Sequence, residues 1–286
     1  MTAKSNTSAA RRPKGFTLVE LLVVIAVIAI LAALILPALS TAKRRGWDIT
    51  CVSNLKQISA AGLMYMDETG QTILSISTNN LDSWMGRLRP YGVTSSLLQC
   101  PAVRANAQAP AVGGVAGGTA SAAWWMWPPD TALASGSYSM NGWLLSYDPA
   151  ISGGSMWLAP PPPPVSGNPH FTFSKPSSVR HSSQTPFFND AVYWCEWPLE
   201  SDPPATDLST GAWNTIWGMQ RCTIWRHGGK TATAPVSVPH DLLGWHIPVR
   251  AAINVGFADG HAQPVRVKDL WSLYWHDQWT ASGPPR

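Results

Sequence analysis

Charge is what this chain of 286 residues has least of: Asp, Glu, Lys and Arg make up 13% of it, against roughly 25% in soluble domains. The first fifteen residues contain no acid, yet they hold Lys4, Arg11, Arg12 and Lys14. Those four account for the whole formal charge of +4, so everything after them is neutral. A nucleic-acid surface needs Lys and Arg gathered on a folded face, and that class of partner is excluded. A basic tail ahead of an apolar run is instead held in the cytoplasm by the positive-inside rule. Catalytic signatures are missing too: there is no G-x-S-x-G, no HExxH and no P-loop, so the chain does not read as an enzyme. No internal repeat occurs.

Cysteine is sparse. Cys51, Cys100, Cys195 and Cys222 form no C-x-x-C, and no His lies at zinc-finger spacing from them. If the body is exported, their even number suits one or two disulfides; in the cytosol they would be ordinary buried thiols. The sequence by itself leaves the pairing open. What the chain does have is 25 Pro, 23 Gly and 16 Trp, a composition of loops and strands with aromatic plugs rather than of helices.

The exception is the N-terminal run. From Phe16 to Leu36 the sequence is apolar apart from Thr17 and Glu20, and its helix of about 31 Å at 1.5 Å per residue spans a hydrocarbon core of about 30 Å. A cleaved signal peptide would be shorter and end in a small-x-small site. An ordinary signal anchor has no use for Glu20, because a carboxylate at the bilayer centre costs roughly 2.5–3.5 kcal/mol or more.

The string Lys14-Gly15-Phe16-Thr17-Leu18-Val19-Glu20-Leu21-Leu22, with its basic leader and long apolar sequel, resembles the N-terminal signature of the type IV pilin and type II secretion pseudopilin superfamily. The resemblance implies that a prepilin peptidase cuts between Gly15 and Phe16 and that the new N-terminal Phe16 is methylated. It also implies a subunit that joins other pilin-like subunits in a type II secretion or type IV pilus-like filament through an inner-membrane assembly platform. Physical chemistry supports the carry-over. Glycine lies extended in a protease cleft without a side chain in the way. Cleavage leaves a positive α-amine four residues before Glu20, and in an apolar bundle the carboxylate needs such a cation, supplied by the neighbouring subunit. Pro37 follows the run, where it would kink the helix.

Beyond Pro37 the helix continues. Trp47, Cys51, Leu55, Ile58, Gly62 and Tyr65 recur as one helical stripe, widened by Val52, Met64 and Met66. Lys43, Arg44, Arg45, Asp48, Lys56 and Gln57 fall mostly off it, and Gly70 marks the stop. Cys51 lies on this stripe, so a disulfide partner would come from the segment covering it. Pro101–Ala123 reads as an Ala/Gly-rich surface loop, and Pro160–Pro164 as a stiff polyproline segment. Expected strands are Thr72–Ile76, Pro186–Trp194, Thr223–Trp225, Ile253–Ala258 and Ala262–Val267. Asp259-Gly260 joins the last two as a hairpin turn.

Two further elements resemble a branch of the same superfamily common in planctomycetes. Cys51 with Asn54-Leu55-Lys56-Gln57, followed by Cys100-Pro101, implies a Cys51–Cys100 disulfide with Cys195–Cys222 as a second pair. The segment Asn254–His261 resembles that branch's C-terminal element, in which an Arg-His pair shortly precedes an Asp-Gly. Here Arg226-His227 has that local character, but 31 residues intervene before Asp259, so an insertion at about Lys230–Arg250 is expected.

Asp190, His227, His261 and Asp259 are the candidate metal ligands, because related pseudopilins tie down a C-terminal loop with calcium. Calcium wants six to eight oxygens, no Asp-rich loop is present, and Asp259 is better explained by its turn, so no metal is expected. The Trp runs Trp124–Trp127 and Trp271–Trp279 are expected to be mostly core, a few making a glycan or subunit-contact face. The expectation is an α+β, pilin-like protein divided into a leader (1–15), a membrane-spanning assembly segment (16–36), an amphipathic helical segment (37–69) and an antiparallel β-rich head (70–286). It would be a single-pass protein of a bacterial inner membrane, with its N-terminus cytoplasmic and its head periplasmic until a filament extracts it. The alternative is a membrane-tethered module whose Trp-rich head binds polysaccharide.

Overall fold

The computed structural model describes residues 17–74, 83–103, 115–126, 135–146, 173, 175–215 and 218–285. The leader with Gly15 and Phe16, and the run Pro160–Pro164, lie outside the described residues. The architecture is α+β: a long N-terminal apolar helix and a head rich in antiparallel strands. Two compact units divide it, one ending at Lys43 and one beginning at Arg44.

Helix α1 runs Leu18–Thr69 and passes Pro37 without a break. Ser40 Oγ and Thr41 Oγ1 both donate to the Pro37 carbonyl, at 2.9 and 3.1 Å. In the first unit its apolar side chains, Leu18 through Leu39, are exposed almost without exception. The helix stops at Gly70, whose φ of +66° suits only glycine comfortably.

In the second unit α1 buries Cys51, Leu55, Ile58, Gly62, Tyr65 and Met66 of the stripe read from its periodicity, with Asn54, Ser59 and Ala61 added beside them and Trp47 and Val52 only half-buried. Met64 departs from that reading: it is exposed, lying just past the edge of the buried arc. The remaining elements, in chain order, are β1 (Ile73–Leu74), α2 (Trp84–Leu88), β2 (Val115–Ala116), β3 (Trp124–Met126), β4 (Ser135–Gly136), β5 (Tyr138–Asn141), β6 (Leu145–Ser146), β7 (Pro186–Asp190), β8 (Cys195–Glu196), β9 (His240–Asp241), β10 (Gly244–Trp245), β11 (Ala252–Phe257) and β12 (Ala262–Arg266). The central sheet has the order β12-β11-β7-β5-β8. It is antiparallel from β12 to β5, and only β5–β8 is parallel. A three-stranded sheet β2-β3-β4 and the pairs β1–β6 and β9–β10 complete the set.

The helix meets this sheet closely because a glycine stands at each close approach. A Cβ at Gly62 would sit 2.6 Å from the Phe187 ring, and one at Gly256 would sit 2.4 Å from Ser59 Oγ. At the β12 edge of the sheet, Asp259-Gly260 turns β11 into β12 beside Leu63 of α1, Gly260 having φ +89°.

Other expectations need correction. The expected strand Pro186–Trp194 stops at Asp190 and resumes only at Cys195. Thr223–Trp225 is not a strand: Trp225 N–H bonds the Leu208 carbonyl and Ile224 N–H the Cys222 carbonyl, a packed coil rather than a ladder. A buried apolar run satisfies either geometry. The expected surface loop Pro101–Ala123 is exposed at Pro101 but packs inward at its end. Gly118, Ala120 and Ala123 are buried, and Gly118 N–H donates to the Val192 carbonyl.

No described tryptophan is exposed. Four of their indole N–H groups tie together coil that ladders do not reach: Trp84 donates to the Trp194 carbonyl (2.8 Å), Trp143 to Pro198 (2.8 Å), Trp271 to Asp202 (3.0 Å) and Trp275 to Leu270 (2.9 Å). An indole fills space as a large apolar body while supplying one donor, and buried carbonyls need donors. Trp127, Trp157 and Trp217 lie outside the described residues.

Candidate functional site

The start of α1 is a reciprocal cap. Thr17 N–H and Thr17 Oγ1 each donate to Glu20 Oε2 at 2.8 Å, and Glu20 N–H donates to Thr17 Oγ1 at 3.3 Å. Thr at the cap and Glu three residues on is the capping-box arrangement. The lone acid of the apolar segment is therefore held in the first turn, at the helix end, where the helix dipole favours a negative charge. Both partners remain exposed, so the carboxylate is available to a cation brought by another chain.

A second polar constellation lies deep in the head. Asp190, at the end of β7, is fully buried. Its Oδ1 faces Arg226 Nη1 at 3.1 Å, its Oδ2 faces His227 Nε2 at 3.2 Å, and Oδ2 also accepts Asn254 N–H at 2.7 Å. Arg226 donates further to the carbonyls of Thr119, Ala120, Ser137 and Ala191. His227 Nδ1 reaches back to α1, 2.5 Å from Asp48 Oδ1. Burial opposes an ionised Asp190, but the charges of His227 and Arg226 and the Asn254 N–H hold its carboxyl below the usual range. Burial likewise opposes a charged His227, yet Asp190 and then Asp48 push its pKa up to about 9. At neutral pH the ring is an imidazolium donating to two carboxylates.

Beside it runs the only disulfide among the described residues, Cys51–Cys100, with Cα atoms 5.3 Å apart. Cys100 Sγ is 3.6 Å from His227 Nε2. The sulfurs of Cys51 and Cys100 and the His227 ring gather within 4.8 Å, but the two sulfurs are spent on each other and the ring on its carboxylates. Cys195 and Cys222, expected as a second pair, are free and buried. Cys195 sits in β8, while Cys222 Sγ turns to the Met219 carbonyl at 3.3 Å.

Of the candidate metal ligands, Asp190 and His227 converge and Asp259 does not join them. Asp259 closes its own turn, accepting His261 N–H at 3.1 Å and lying 2.5 Å from His261 Nδ1. Around Asp190 the guanidinium and imidazolium occupy the place a cation would take. The sequence reading missed Asp48, which it set off the buried stripe. The usable signal was its position one turn before Cys51 on the helix.

Residues 10–36 match the model of the prokaryotic N-terminal methylation motif. The chain is 32% identical over 139 residues, 49% of its length and 96% of the relative's, to the type IV wide pilus major component PilA4 of Thermus thermophilus. No solved structure matches it.

Proposed function

Because the chain belongs to the type IV pilin family, we propose that it is a filament subunit made from a membrane-anchored precursor. In this reading a prepilin peptidase cuts between Gly15 and Phe16, and Phe16 becomes the methylated N-terminus. The apolar half of α1 holds the subunit in the bacterial inner membrane with the head on the periplasmic side. An assembly platform then lifts it into a type IV pilus-like or type II secretion filament. The observation that carries the reading is the exposed apolar first half of α1 with one acid capped at its start. Once subunits pack side by side, Glu20 exchanges its local partner Thr17 for the Phe16 α-amine of a neighbour, since a buried carboxylate requires a cation.

The chain acts by assembling, and neither metal nor catalytic group enters the proposal. A polysaccharide-binding head gains nothing from the described tryptophans, whose rings are buried or half-buried.

Mass spectrometry of the membrane-extracted protein, with and without a prepilin peptidase, tests the processing. The expected species begins at methylated Phe16; a chain still starting at Met1 in the presence of the peptidase sinks it. Glu20→Ala is expected to leave processing intact and abolish filaments, and undiminished filament yield would remove the role given to Glu20.

A further inference from the structure

The interval between His227 and Asp259 carries the hairpin β9–β10. Its two-residue turn is Leu242-Leu243, both residues fully or almost fully exposed, at 105% and 90%. Two-residue turns favour Asn, Asp and Gly, so a leucine pair here defies both turn chemistry and burial. The tip is nevertheless braced. Asp241 Oδ1 accepts Leu243 N–H at 2.8 Å, Asp241 Oδ2 lies 2.8 Å from His246 Nε2, and the His240 ring rests on Trp245 with centroids 4.5 Å apart. Gly244, with φ +108°, closes the turn. A braced apolar projection of this kind marks a contact.

Elsewhere on the head an open groove of about 330 Å³ lies between α1 and the β11–β12 hairpin. Ile49, Val52 and Pro264 give it apolar walls, with Asp48, His227 and Gly228 beside them. Ile49 is 71% exposed. Two leucine side chains amount to eight carbon groups, each about the size of a water's share of the liquid, roughly 30 Å³, so the pair fits. The tip does not fill its own groove, being fully exposed.

We infer that Leu242 and Leu243 of one copy seat in the Ile49–Val52–Pro264 groove of the next. A knob and a socket at different places on one chain make a heterologous contact, and repetition of such a contact builds an open filament rather than a closed dimer. The occupant is thus a second copy, and the inference rests on the filament reading above.

The test uses the full chain assembled in membranes. A chain carrying both Leu243→Cys and Pro264→Cys should give, on mild oxidation, a ladder of disulfide-linked multimers, and either substitution alone should give none. Cross-linking by Leu243→Cys alone means a tip-to-tip contact and overturns the inference. So does absence of the ladder, including the case where a polarity-sensitive dye on Leu243→Cys reports insertion into lipid instead. The double variant Leu242→Asp/Leu243→Asp should lower filament yield about tenfold or more, from two leucines no longer buried, while cleavage and thermal unfolding stay unchanged. Undiminished yield overturns the inference and leaves the filament reading standing. A ladder without filaments keeps the contact and sinks only the filament reading.

Discussion

The buried ions Asp190, Arg226 and His227 set how the head responds to pH. His227 has an ordinary value of 6.5 and a folded value of about 9. A raised histidine contributes fully below 6.5 and loses its contribution as pH climbs through 9. Asp190, depressed in the folded state, contributes above its ordinary 3.8 and loses this only as pH falls through its lower folded value. Glu196 works in the opposite sense. It is fully buried, Asn189 and Ser139 lie beside it without a hydrogen bond of good geometry, and desolvation pushes it from 4.5 to about 8. The unfolded chain releases that proton first, so stability falls from 4.5 to 8. The expected outcome in denaturant titrations is a head that weakens steadily from mildly acidic to alkaline pH. His227→Gln should remove the decline between 8 and 9, and Glu196→Gln should stabilise by several kcal/mol at about pH 8 while changing little near 4.5.

At the scale of elements, a disulfide and a tight glycine crossing are among the contacts that hold the second half of α1 to the sheet. The disulfide closes a loop with a sequence separation of 49, and its removal in Cys51→Ser/Cys100→Ser should cost about 2–5 kcal/mol by urea unfolding. At the crossing, Gly62→Val drives a branched side chain into the Phe187 ring. It should destabilise by about 1–3 kcal/mol, read as a fall in the thermal midpoint. The crossing also shows what a sequence can disclose. The stripe Cys51, Leu55, Ile58, Gly62, Tyr65 was legible because helical periodicity alone decides which face is buried. The Asp259-Gly260 hairpin was legible because its turn chemistry is local. Thr223–Trp225 misled because a buried apolar run looks the same in a ladder and in packed coil. The Asp48–His227 contact was illegible for a different reason: its partners are 179 residues apart, and no local pattern links them.

At the scale of the whole molecule, apolar exposure is segregated. The first unit carries its greasy side chains outward, whereas among the described residues the second buries most of its own, the Leu242-Leu243 tip being the most exposed exception. A fragment beginning at Arg44 is therefore expected to be soluble, to keep the Cys51–Cys100 bond and to unfold cooperatively. Size-exclusion chromatography and thermal unfolding check this, and an aggregated fragment would overturn it.

Cys195 and Cys222 add a last consequence. Desolvation raises both thiols above their ordinary range, and a thiol kept protonated is a poor nucleophile. An oxidant that finds four sulfurs in the nascent chain finds none to scramble after folding. Those dormant sulfurs then double as a built-in clock: the pace at which a small alkylating reagent marks them in intact filaments counts how often each head breathes open.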